Sequence, residues 1–235
     1  MASEIKLLST TALKTSLDEL LPRFERATGH KVTASYGFAA QLAKRIEGGE
    51  AADATILSGQ ALDGLAKQGK VVGDSRIDVA RSAIMVAVKQ GTRRPDVSSV
   101  EKFKQAMLAA KSIVHTDPAG GGTTGVHLGK IFAQLGIADA LKPKTVYSPG
   151  GPDHLIGLYL VRGEAEIGIQ QDSELMAVPG VDIAGPLPAE IQSVSVFAFG
   201  TLSGARDIAA ARALGDFLRS SEALAVIKSK GMQPG

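Results

Sequence analysis

Residues 4–37, "EIKLLSTTALKTSLDELLPRFERATGHKVTASYG", read as strand, helix, strand. "EIKLLST" is short and apolar enough for a buried strand. In "TALKTSLDELLPRFERATG", Leu13, Leu17, Leu20, Leu21 and Phe24 recur at the helical period. Gly29 is a natural stop, because glycine readily enters the left-handed conformation that ends helices. "KVTASYG" is then a second strand. Outward from this unit the alternation continues with "AAQLAKRIEGGE" as helix, "ADATILSG" as strand and "QALDGLAKQG" as helix. A parallel connection needs a crossover long enough to hold a helix, so the pattern predicts an α/β fold with mainly parallel sheets flanked by helices.

Further on, "AIMVAVKQG" is extended, "SVEKFKQAMLAA" helical and "KSIVHTDP" a strand that runs into a glycine loop. "TTGVHLGKIFAQLG" follows as helix, "KTVYSPGG" as strand and turn, "PDHLIGLYLVRGE" as helix and "AEIGIQQDS" as strand. "VDIAGPLP" leads into "SVSVFAFGTLSG", and the tail "DIAAARALGDFLRSSEALAVIKSKG" reads as one long helical pattern. A chain of 235 residues can be one large domain or two lobes. The extended stretches "DVARSAIMVAV" near residue 80 and "IQSVSVFAFG" near residue 195 suggest two crossings. The expected lobes are 1–80 plus 196–235, and 81–195, joined by hinge strands that let them close on a ligand.

Composition narrows the function. At 44% hydrophobic and 21% charged residues, the chain is of the ordinary globular class. Charges are mixed, for a net +2, and no basic block exceeds "TRRP", which disfavours nucleic acid as a partner. Without cysteine there are no disulfides, thiolate metal sites or Cys nucleophiles. No apolar run approaches the roughly 20 residues that cross a bilayer, so membrane insertion is not expected. The opening "MASEIKLLST" lacks a signal-peptide core, as in a soluble protein or a mature form.

The chemistry gathers at the loops between strands and helices. "HTDPAGGGTTGVHLG" places Gly120, Gly121 and Gly122 after a strand and before a helix, where unpaired N–H groups and the helix dipole favour anions. Thr123 and Thr124 are expected to cap that helix and add hydroxyl donors. The run lacks the lysine of a P-loop and the spaced acid of a dinucleotide fingerprint. The design recurs with Ser9, Thr10 and Thr11 between the first strand and helix, with Gly37, Phe38 and Ala39 between the second pair, and with Gly150 and Gly151 before another helix. Each loop alone reads equally as an ordinary cap or turn. Four together point to an anion cleft.

Four stretches carry a resemblance: "LLSTTALKTSLDELLPRFERATGHKVTASYG", "LAKRIEGGEAADATILSG", "DPAGGGTTG" and "GLYLVRGEAEIGIQQDSEL". In order, spacing and extent the chain resembles the molybdate-binding protein family of ABC transporter solute receptors. The resemblance implies a type II periplasmic binding fold, with two α/β lobes closing over an oxyanion held by neutral donors, without metal or cofactor. It also implies a monomer, an ABC permease partner and a periplasmic location, with the leader absent from this chain. Carried over by position, the first-lobe ligand serine falls at Ser9 to Thr11. A second serine falls in "GFAAQ", where Phe38, Ala39 and Ala40 offer no hydroxyl. The second-lobe backbone donor falls in "DPAGGGTTG", a helix-start donor near residues 153–155, and the family's tyrosine at Gln170 or Gln171.

Losing a serine and the tyrosine argues against tetrahedral molybdate, because a buried oxyanion needs its donors in place. A planar carboxylate suits amides from Gln170 or Gln171 and hydroxyls from Thr123 and Thr124, with Arg81 as either a carboxylate partner or a structural arginine. The first expectation is therefore a periplasmic-type receptor for a small organic carboxylate. The alternative is aconitate isomerase, whose members resemble this family. That chemistry abstracts a proton beside a carboxylate and returns it at the far end of an allylic system, which needs a base near neutral pKa. Of four histidines, His30 is expected in solvent, His115 on the strand before the glycine loop and His127 on the helix after it. His154 is read as starting a helix, either as the base or as a ligand-pairing residue, with His127 as the other candidate. Asp117 before Pro118 reads as a turn former.

Overall fold

In the computed structural model, which describes residues 2–235, the apolar period of the opening segment becomes contact. Strand β1 (Glu4–Thr10) leads through the single turn Thr11–Leu13 into α1 (Lys14–Thr28). Leu17, Leu20, Leu21 and Phe24 are buried on one face of α1. Each such side chain contributes about 1.5–3 kcal/mol on leaving water. Gly29 ends the helix at φ 78°.

Then come β2 (Lys31–Gly37), α2 (Ala39–Glu47), β3 (Ala54–Ser58) and α3 (Gly59–Lys67). Strand β4 (Ile77–Lys89) is followed by α4 (Val100–Ala109), β5 (Ile113–Thr116), α5 (Thr123–Gln134), α6 (Ala138–Leu141) and β6 (Thr145–Ser148). Next are α7 (Ile156–Arg162), β7 (Ile167–Gln171), α8 (Asp172–Met176) and β8 (Val181–Pro186). The chain ends with β9 (Val194–Thr201), α9 (Ile208–Leu218), α10 (Ser221–Ser229) and β10 (Gln233–Pro234).

The chain divides into two compact units. Unit 1 holds the residues up to Arg81 together with Ser195–Gly235, and unit 2 is Ser82–Val194. In unit 1, β1 lies parallel between β2 and β3, and β9 adds antiparallel to β3. Its core joins Leu7, Leu17, Phe24, Ile56, Phe199, Leu214 and Ile227. In unit 2, β5 lies parallel between β6 and β7, while β4 runs antiparallel to both β7 and β8. Phe103, Met107, Ile113, Leu128 and Ile169 fill its main core.

The tail departs from the expected single helix. Asp207 caps α9 by accepting from the Ala210 N–H, and Ser220 caps α10 by accepting from the Ala223 N–H, so the chain breaks at residues 219–220. The break lets Leu214 and Leu218 of α9, and Val226 and Ile227 of α10, reach the same core. His30 is also not in solvent. It is half-buried, stacks on Phe24 at 6.0 Å and accepts the Ser3 N–H through Nδ1.

Candidate functional site

Parallel strands bring their carboxyl ends to one edge, and each unit has its own such edge. In unit 1 it is formed by the ends of β1, β2 and β3. Ser9 and Thr10 belong to β1 rather than to the loop expected there, and both are buried. Ser9 Oγ donates to the Thr10 carbonyl at 3.2 Å, and the buried Thr11 Oγ1 has no hydrogen-bond partner. Gly37 is the last residue of β2, Phe38 the N-cap of α2 without a side-chain bond, and Ala39 its first residue. Arg81 is exposed on β4, in register with Gln233, and its side chain forms no ion pair among the described residues.

Unit 2 builds its edge from tight backbone. The Asp117 N–H donates to the Ser148 carbonyl at 2.8 Å, tying the glycine loop to the end of β6. Asp117 Oδ1 accepts from the Ala119 N–H, the turn role expected of it. The single turn Pro118–Gly120 follows, Gly121 takes φ 78°, and Gly122 is the N-cap of α5. The threonines therefore do not cap: Thr123 opens α5 exposed, and Thr124 is buried in its first turn. What fixes that register is Gly125, where a Cβ would lie 2.1 Å from the Thr116 carbonyl oxygen. Only glycine lets α5 start this close to β5.

The end of β7 closes the group. Gln171 Nε2 donates to Thr124 Oγ1 at 3.4 Å, so an amide and a hydroxyl named from sequence do meet. Gln170 points to the other side of the strand and hydrogen-bonds Glu174 of α8. Buried polar atoms without a partner cluster on these elements: Thr116 Oγ1, Gln170 Oε1, Ser173 Oγ and, on β4, Ser82 Oγ. Each costs about 1–3 kcal/mol while unsatisfied, a cost that a hydrogen-bonding ligand would offset.

The histidines separate. His115 is buried against Phe132 and Tyr147, and its Nδ1 meets the Thr116 carbonyl at 2.8 Å. A carbonyl only accepts, so Nδ1 carries the proton, and burial lowers the ring's pKa and keeps it neutral. His127 directs Nε2 to the Ile191 carbonyl at 2.8 Å. His154 does not start the helix. It lies in the single turn Pro152–His154 after Gly151 (φ 90°), and α7 begins two residues later. It is exposed, its Nδ1 lies 3.5 Å from the Tyr159 hydroxyl, and its carbonyl accepts from Ser148 Oγ at 2.6 Å.

Two acids that sequence reasoning passed over stand on α8. Burial raises the pKa of Asp172. Burial also pushes Glu174 up to about 7, partly opposed by the hydrogen bond from Gln170. The signal in "QQDSELM" is faint: an acid four residues after a strand-end glutamine on a one-turn helix. No group of three or more His, Asp or Glu side chains converges as a metal site among the described residues.

A family model described as bacterial extracellular solute-binding protein matches residues 5–233. An aconitate isomerase from a Pseudomonas species is 35% identical over 236 residues, 98% of this chain and 87% of that protein. The molybdate-binding protein ModA of Azotobacter vinelandii is 25% identical over 237 residues, 98% of this chain and 90% of that one. The solved periplasmic molybdate-binding protein of Azotobacter vinelandii superposes with a TM-score of 0.78 at 18% identity, over 98% of this chain and 99% of that one, a likeness of fold. With two α/β units, neutral donors at strand ends and a match over nearly its full length, the chain belongs to the bacterial extracellular solute-binding protein family.

Proposed function

We propose that this protein binds a small organic polycarboxylate and isomerises it by allylic proton transfer, as between cis- and trans-aconitate. The observation that carries this reading is the donor set at the carboxyl edge of unit 2. Gln171 and Thr124 form a neutral amide–hydroxyl pair beside a glycine-rich helix start, where the resemblance puts a tyrosine in molybdate receptors. Such donors suit a planar carboxylate and stabilise charge that spreads into it during proton abstraction. The full-length relative named aconitate isomerase supports the same chemistry. The setting is periplasmic.

A second reading is a receptor that delivers the same acid to an ABC permease, favoured by the family match and the molybdate-binding relative. Chromatography of cis-aconitate incubated with catalytic amounts of protein separates the two, alongside calorimetry with cis-aconitate and molybdate. Approach to one cis/trans mixture from either isomer is the expected result. Binding of aconitate without conversion establishes the receptor reading, and binding of molybdate alone overturns both.

A further inference from the structure

We infer that unit 2 carries a second anion site, a cationic cleft at the amino edge of its sheet that takes a small organic polyanion with an apolar body. The inference is independent of the isomerase reading. The cleft encloses about 930 Å³ between the end of β4, the loop that follows it, the end of α4 and the turn that enters β7. Its lining joins the buried apolar Val88, Ala110 and Ile167 to the exposed cations Lys89, Arg93 and Lys111. Ile167 begins β7 and Gln171 ends it, so about 13 Å of strand, at ~3.3 Å per residue, separates the cleft from the amide that meets Thr124.

Charge and construction both favour an anion. Five basic and two acidic side chains line the cleft, a net +3, where the whole chain carries only +2. Two of the five cations hold the walls: Arg94 pairs with Asp182 of β8 at 3.3 Å, and Lys102 of α4 with Asp96 at 2.6 Å. On the other side of Arg93, Thr92 Oγ1 donates to the Lys89 carbonyl at 2.7 Å, so the loop that presents Arg93 is fixed before and after it. Across the cleft, the Lys111 N–H donates to Glu166 Oε2 at 2.7 Å and the Glu166 N–H to Ser112 Oγ at 3.1 Å, which ties the turn into β5 to the turn into β7. The carbonyls at the end of α4 would repel an anion, but Lys144 Nζ donates to those of Leu108 and Ala110 at 2.6 and 2.7 Å and masks them. Lys89, Arg93 and Lys111 make no ion pair among the described residues and stay available to a ligand.

The lining also sets the ligand's class. The volume lies at the upper end of the roughly 300–1,000 Å³ typical of small-molecule sites. The Arg93 guanidinium can grip a carboxylate, phosphate or sulfonate through two N–H groups, while Lys89 and Lys111 offer point charges to further acid groups. An inorganic anion would use these cations and leave the apolar lining wet. A neutral apolar molecule would do the reverse. A polyanion on an apolar frame uses both. The site also gives a role to "TRRP", the basic block that the carboxyl-edge donors leave unused.

The test is an amide-resolved NMR titration of the isotope-labelled full chain with naphthalene-1,5-disulfonate, and in parallel with inorganic sulfate, which has the acid group without the frame. Saturable shifts at Lys89, Arg93, Lys111 and Glu166, and none at Thr124 or Gln171, are expected, with the disulfonate at least ~10-fold tighter than sulfate. Raising the ionic strength from about 0.01 to about 0.1 M, which shortens the screening length from about 30 to about 10 Å, should weaken binding several-fold. The double variant Arg93→Glu with Lys111→Glu changes two exposed side chains, so its urea midpoint should stay at the wild-type value while its Kd weakens at least ~10-fold. Disulfonate shifts confined to Thr124 and Gln171, no saturable shift at all, or a double-variant Kd within about twofold of wild type overturns the site. Sulfate binding as tightly as the disulfonate overturns the ligand class. Each result holds whether or not the protein converts cis-aconitate.

Discussion

Each unit buries a carboxylate, and the two are treated in opposite ways. In unit 1, Asp53 accepts from the backbone N–H groups of Lys6 and Arg206 at 2.7 and 2.8 Å and from the Arg206 guanidinium at 3.1 Å. Burial alone would raise its pKa, but Arg206 and the two N–H groups outweigh burial and hold it below the ordinary value. In unit 2, Glu174 has the Gln170 amide and, among the described residues, no cation, and burial dominates. The first is a staple that ties β1 to the end of the loop between β9 and α9; the second has its pKa raised by burial to about 7. The difference teaches that burial of an acid does not by itself mark chemistry. What sets the two pKa values apart is compensation, a cation and two N–H groups for Asp53 and one amide for Glu174.

The largest effect should come from removing the staple. Asp53→Ala strands two part-buried N–H groups and the Arg206 guanidinium, and is expected to lower unfolding free energy by about 3 kcal/mol, read by urea titration, with kcat unchanged in the fraction that stays folded. Gly125→Ala attacks the other edge. Its Cβ would meet the Thr116 carbonyl at 2.1 Å, so a loss of about 3 kcal/mol is expected together with turnover. Gly64→Ala, in α3 with nothing within 4 Å of the added Cβ, should instead stabilise by about 0.5–1 kcal/mol.

The pH dependence sharpens the contrast. Glu174's folded-state value of about 7 lies above its ordinary 4.5, so the stability it contributes is full below about pH 4.5 and is lost as pH rises through 7. Glu174→Gln should therefore be more stable than wild type at pH 8, by roughly 3 kcal/mol, and as stable at pH 4. Asp53 has the opposite sign: its contribution is present above 3.8 and disappears as pH falls. The smallest effect belongs to Thr11→Val, which removes an unpartnered buried hydroxyl without changing shape. Little change in stability is expected, within about 1 kcal/mol by urea titration.

The strand–helix alternation was legible because its signals are local: Leu17, Leu20, Leu21 and Phe24 share a face at any tertiary context, and Gly29 stops the helix in isolation. Strand direction was not. β4 and β9 read as extended apolar runs, and whether such a run lies parallel or antiparallel is decided by where the chain next turns. Helix starts shifted by a residue or two for the same reason. The contact of Gly125 with Thr116, not the threonine hydroxyls, sets the start of α5, and the left-handed Gly151 inserts a turn before α7. Glu174 was illegible because nothing in "DSELM" says that its acid faces inward, next to a glutamine whose own partner is that acid.

Proton NMR of the protein with cis-aconitate in deuterated buffer, followed over time, tests the proposed activity most directly. Growth of the trans-isomer signals, with deuterium entering the methylene and vinyl positions or the original proton retained by transfer, is the expected result. Line broadening of cis-aconitate with neither conversion nor exchange would contradict it and leave a receptor.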